Sequence, residues 1–154
     1  MSDELLREVF ANYHSNQTKV GEISAYLKSA IDGFLLSESG QAYQAEPIGT
    51  HPANRQSFVI ESKQPDSYGT TSRMAVDVMA EGTVRIIASW ADQSSPEPQA
   101  VEERSIYYSA SEDSANIAAK ALSGMSGMAD NDISADLQLF VQAPEPVTGT
   151  SPHA

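Results

Sequence analysis

Residues 72–90, SRMAVDVMAEGTVRIIASW, fit little other than a β-hairpin. Met74, Val76 and Val78 alternate with Ala75, Asp77 and Met79. Val84, Ile86, Ala88 and Trp90 alternate with Arg85, Ile87 and Ser89. Side chains one residue apart on a strand point to opposite faces, so each set lines one face. Between the strands, Glu81-Gly82 suits a two-residue turn, because glycine takes positive φ without steric cost. On that register Val78 pairs with Arg85 and Val76 with Ile87. Arg85 then lies diagonal to Asp77, within reach of an ion pair.

The rest of the chain is expected to fold around this hairpin. Residues 3–36 read as helical, started by Ser2 or Asp3 with acids near the positive end of the dipole. Leu5, Leu6, Val9, Phe10 and Tyr13 follow helical spacing, as do Val20, Ile23, Leu27, Ala30, Ile31 and Phe34. The polar run HSNQT, 14–18, separates the two stripes, so the spacing predicts either a bend near 15–17 or two helices meeting there. Short strands are expected at 41–47 and within 56–62, separated by a loop at 48–55 rich in turn residues. Pro96, Pro98 and several acids make 91–103 an exposed, extended connection. A strand follows at 104–109, with Ile106 and Tyr108 facing one way and Tyr107 the other. A helix is expected at 112–126, capped by Ser111 and buried through Ile117, Ala118, Ala121, Leu122 and Met125. DLQLFVQ, 136–142, alternates like a last strand. The reading is α+β: a mainly antiparallel sheet of five or six strands, packed by the N-terminal helical region and a second helix near 112–126. Residues 1–142 form one domain. The Pro-rich tail 143–154 has no apolar pattern.

Charge limits what such a domain can meet. The formal net charge is −12, and the two basic residues after position 85 are Arg104 and Lys120. A field of this sign repels phosphate backbones and anionic membranes, so neither direct nucleic-acid binding nor a membrane partner is expected. No apolar run approaches the roughly 20 residues that span a bilayer. The acidic N-terminus lacks the basic start and apolar block of a signal peptide. With no cysteine, a cytoplasmic or otherwise intracellular setting is the default.

Catalytic chemistry finds little footing. His14, His51 and His153 lack metal-ligand spacing, so no metal or other cofactor is expected. His51, in a loop with Asn54 and Arg55, is the best-placed general base, but the residue is better accounted for as an exposed turn residue before Pro52. SGMSG, 123–127, follows a helix rather than a strand and lacks the geometry of a phosphate loop. Asp77 and Arg85 are explained by a surface ion pair, worth about 0–1 kcal/mol.

Two function classes remain. The first, leaning away from an enzyme, is an acidic protein-interaction module: a subunit of a larger assembly, or an inhibitor or adaptor, with a protein partner or self-association. Its contact residues are expected among Trp90, Tyr107 and Tyr108, since Trp and Tyr anchor interfaces, and the acids Glu102, Glu103, Glu112 and Asp113. The alternative is a small-molecule-binding domain or small enzyme with a pocket between sheet and helix, using Tyr43, His51, Asp77 and Arg85.

Overall fold

The computed structural model describes the backbone of residues 3–48, 55–92, 95–128 and 131–142. Within these it describes the side chains outside 8–16, 47–48 and 95–101. The fold is α+β, with a five-stranded antiparallel sheet and several helices. The element order is α1 (Asp3–Leu36), a 3₁₀ turn (Glu38–Gly40), β1 (Tyr43–Ile48), β2 (Arg55–Ser62), β3 (Thr70–Met79), β4 (Thr83–Asp92), β5 (Ser95–Tyr107), α2 (Ser114–Ser126) and α3 (Asp132–Gln142). Each strand pairs antiparallel with the next, in the order β1-β2-β3-β4-β5.

The helices share one face of the sheet. From α1 the core takes Val20, Ile23, Leu27, Ile31 and Phe34, the i, i+3, i+4 stripe read from the sequence. From the strands it takes alternate residues: Phe58 and Ile60; Met74, Val76 and Val78; Val84, Ile86 and Ala88. Ile117, Ala118, Ala121 and Met125 of α2 and Ile133 and Leu137 of α3 complete it. Among the described residues, no helix side chain packs on the other face, where the intervening strand residues lie.

Several expectations change. Of the two alternatives for residues 3–36, a single helix of 34 residues is found rather than two, about 51 Å of helix at 1.5 Å per residue. HSNQT interrupts the apolar stripe but not the backbone.

The hairpin turn has three residues, Ala80, Glu81 and Gly82, so the register is Met79↔Thr83, Val78↔Val84 and Asp77↔Arg85. Gly82 sits at φ 104, and its carbonyl accepts from the Tyr108 N–H at 2.9 Å. Asp77 and Arg85 are therefore directly opposite rather than diagonal. They do form an ion pair, at 3.1 Å.

The proline-containing stretch expected to be a connection is most of β5. A proline has no N–H to donate, which is tolerable on an edge strand. The β4–β5 ladder also shifts register between Ala88 and Trp90 and again between Trp90 and Asp92, and such irregularities relax the demand for continuous pairing.

The segment 136–142 is helical, not a strand. Asn131 caps α3, its Oδ1 accepting from the N–H groups of Ile133 (3.0 Å) and Ser134 (3.3 Å). Ile133, Leu137 and Phe140 then face inward at helical spacing, and Leu139 and Val141 face out.

Helix α2 begins at Ser114 with Asp113, not Ser111, in the capping position and no side-chain cap bond. Ser111 pairs its hydroxyl with that of Ser109 (2.9 Å) instead. The tail 143–154 lies outside the described residues.

Two buried phenols tie the elements together. Tyr43 stacks on Phe34, with ring centroids 5.8 Å apart, and its hydroxyl donates to Asp136 of α3. The Tyr108 hydroxyl donates to the Met79 carbonyl. Burial, and for Tyr43 the Asp136 carboxylate as well, holds both phenols above their ordinary pKa, Tyr108 being pushed up to about 12. A phenol whose pKa is raised by folding stabilises the fold below the unfolded value near 10 and ceases to do so as pH climbs through the folded value. Stability should therefore fall between about pH 10 and 12. Tyr108→Phe and Tyr43→Phe should each flatten that fall, as read by urea midpoints at pH 9 and pH 11. An equally steep loss in both variants would contradict these assignments.

Candidate functional site

The helix-free face of the sheet is laid out by the strand register in four rows. Gln44, Glu61, Arg73 and Ser89 form the first, and Glu46, Val59, Ala75, Ile87 and Glu103 the second. Ser57, Asp77, Arg85 and Ser105 form the third, and Arg55, Met79, Thr83 and Tyr107 the fourth. The second row is apolar at its centre and acidic at both ends. Tyr107 is 75% exposed. Val59 is only 5% exposed, flanked by Glu46 and Ala75 on the adjacent strands.

In the third row Asp77 accepts from the Ser57 hydroxyl and from Arg85 Nη2. Arg85 Nε is buried without a hydrogen-bond partner among the described residues. This face holds three of the five arginines, Arg55, Arg73 and Arg85, and none of the four lysines. Among the described residues three arginines stand against four carboxylates, so this part of the face is close to neutral in a chain of net charge −12.

The expected contact residues are dispersed. Tyr107 and Glu103 lie on the helix-free face. Glu102 alternates to the helix side, where it stands 3.5 Å from Arg104, and Arg104 also donates to the Gly127 carbonyl (2.8 Å) at the end of α2. Tyr108 is 8% exposed with its hydroxyl occupied, so it belongs to the core and not to a contact surface.

Glu112 and Asp113 stand at the start of α2, beside α1. There Lys19 donates to the Glu112 carbonyl and to the Ser114 hydroxyl, and Ser114 donates to Glu22 (2.6 Å). The Glu112 carboxylate accepts from Lys120 (2.9 Å) and from the Ser109 N–H (3.1 Å), and these contacts, Lys120 first, lower its pKa. Glu112 thus organises the α1–α2 junction.

The residues expected to line a sheet–helix pocket do not converge. Tyr43 is on the helix side, Asp77 and Arg85 are on the opposite face, and His51 lies outside the described residues, as does His153. The side chain of His14 is likewise outside them.

Trp90 lies where two clefts meet at one end of the sheet. A cleft of about 360 Å³ opens beside Glu61, Arg73, Ser89 and Trp90. A second, of about 250 Å³, is lined by Asp66, Thr70, Ser72, Trp90 and Asp132. Asp66 and Asp132 carried no signal in the sequence beyond turn and helix-start propensity. They meet Trp90 only because the β2–β3 loop and the start of α3 come together there.

Among the described residues, no group of three or more His, Asp or Glu is placed to hold a metal ion, and no helix is long and apolar enough to cross a membrane. No protein-family model, curated protein or solved structure matches this chain, so its functional reading rests on the geometry above.

Proposed function

We propose that this chain is a non-enzymatic protein-interaction module. It docks a basic partner on the helix-free face of its sheet, as an inhibitor, adaptor or assembly subunit does. The observation that carries this reading is the make-up of that face. Interface centres are enriched in aromatic residues, Met and Arg and depleted in Lys, with an apolar middle and a polar rim. Here Tyr107, Met79 and three arginines surround the half-buried apolar pair Ala75 and Ile87, with Val59 buried beside them, and Glu46 and Glu103 close the row.

Charge selects the partner. The face itself is near neutral, and the rest of the chain carries the excess of acids. Two such chains repel, whereas a basic protein is drawn in and then meets an apolar centre.

The test is capture from the source lysate, comparing wild type with Ile87→Glu, Tyr107→Ala and, on the helix side, Leu139→Ser. The expected result is one protein of net positive charge retained by wild type and Leu139→Ser. It should bind at least tenfold more weakly to Ile87→Glu and Tyr107→Ala, since a central hot spot contributes about 2 kcal/mol or more. It should also be released as salt rises from about 0.05 to 0.5 M, where screening shortens to a few ångström. Retention by all four proteins, or by none, contradicts the reading.

A further inference from the structure

The smaller cleft beside Trp90 is built from four separated parts of the chain. By strand alternation Trp90 and Ser72 both lie on the helix side, and they are direct partners across β3 and β4. Asp66 comes from the β2–β3 loop, Thr70 from the start of β3, and Asp132 from the first residue of α3.

Their hydrogen-bonding capacity is only partly used. Asp66 Oδ1 accepts from the N–H groups of Tyr68 (2.8 Å) and Thr70 (3.0 Å), which leaves Oδ2 without a partner among the described residues. The Asp132 carboxylate also has none there. Ser72 is 3% exposed, and its N–H is held by the Ser62 hydroxyl (2.9 Å). Its own hydroxyl has no partner among the described residues, although it lines the cleft. The hydroxyl is therefore free to accept a hydrogen bond from a ligand in the cleft. The negative potential here is felt by the nearby Tyr43 phenol, whose pKa is raised by burial, by Asp136, and further by Asp132 and Asp66.

We infer that the cleft formed by Trp90, Ser72, Thr70, Asp66 and Asp132 binds an organic cation: a primary ammonium or a guanidinium group. An indole face attracts such a cation through its quadrupole, two carboxylates neutralise it, and the Ser72 hydroxyl accepts one of its N–H groups. The same chemistry is offered by a free small amine and by a Lys or Arg side chain of a docked protein. In the second case the cleft reads the basic character of the partner proposed above, and in that respect the inference rests on that reading.

The cleft can be tested without a partner. Trp90 is the only tryptophan in the chain, so its fluorescence reports the cleft directly. The probes are n-butylammonium and methylguanidinium, with n-butanol as the neutral control and sodium chloride matched for ionic strength. The expected result is a saturable fluorescence change with both cations and none with the controls, at a Kd on the order of 1–10 mM for a site this open. Asp132→Asn and Ser72→Ala should each weaken it at least threefold while leaving the far-ultraviolet circular dichroism unchanged. Ile87→Glu, on the other face, should not alter it, so failure of the partner reading and failure of this one are distinguishable.

A capped tripeptide, acetyl-Gly-Lys-Gly-amide, separates the two sources. Binding tenfold tighter than butylammonium assigns the cleft to a protein side chain, and equal or weaker binding assigns it to a free amine. A response equal to that of sodium chloride, or one undiminished in Asp132→Asn, overturns the inference.

Discussion

Gly40→Ala should destabilise the protein by about 3 kcal/mol or more, a fall in Tm of roughly 6–12 °C for a chain of this size. The cause is a close approach of backbone to backbone. A Cβ at position 40 would stand 1.9 Å from the Phe34 carbonyl oxygen and 2.6 Å from its carbon. Neither atom can move alone. The Phe34 carbonyl ends α1 by accepting from the Ser37 N–H (3.0 Å) and the Ser37 hydroxyl (2.5 Å). The Phe34 ring is fully buried between Tyr43 and Phe140, with both centroids 5.8 Å away. Relieving the clash therefore pulls on the aromatic cluster that joins α1, β1 and α3. A Tm within 2 °C of wild type, measured by calorimetry, would show that the turn does not pack as described.

Asn131→Ala should cost about 2–4 kcal/mol, from two losses. One is the cap of α3, worth about 1 kcal/mol. The other is the bond from Asn131 Nδ2 to the Ser89 carbonyl (3.2 Å). Ser89 lies between the shifted pairs of the β4–β5 ladder, so Asn131 supplies a donor where strand pairing is irregular. An orphaned buried carbonyl costs a further 1–3 kcal/mol. Asn131→Asp keeps the capping oxygen but removes the donor, and should fall between wild type and Asn131→Ala in urea midpoint. If Asn131→Asp matched wild type, the contact to Ser89 would contribute nothing.

The elements legible in the sequence are those whose period is long and unmixed. The α1 stripe runs from Val20 to Phe34 at helical spacing, and the β3–β4 alternation is uninterrupted, so both stand out. The α2 stripe from Ile117 to Met125 is shorter but coherent. In α3, seven residues, DLQLFVQ, satisfy a period of two as well as 3.6. What decides between them is Asn131 and Ile133, upstream of that window. In β5 the prolines argue against a central strand but not against an edge, and the sequence does not say which strand lies at the edge.

The faces posed a different problem. Alternation separates Ala75, Asp77 and Met79 from Met74, Val76 and Val78, yet both sets contain apolar residues. Only the packing of α1, α2 and α3 tells which set faces the helices. The opposite orientations of Tyr107 and Tyr108 follow from alternation, and packing then buries the second. The Trp90 cleft was half visible. Trp90 itself stood out, but Asp66, Ser72 and Asp132 are linked to it by no sequence spacing.

The most direct test of the docking face places a photo-crosslinking amino acid at Ile87 or Tyr107 on the helix-free face. The same residue at Leu36 or Leu139, both exposed on the helical side, serves as the control, each in the full chain expressed in its source cells. The account predicts that Ile87 and Tyr107 crosslink to the same basic protein, and that Leu36 and Leu139 do not. Crosslinks to one protein from Leu36 and Leu139 alone would move the interface to the helices and contradict the claim that the helix-free sheet face is the binding surface.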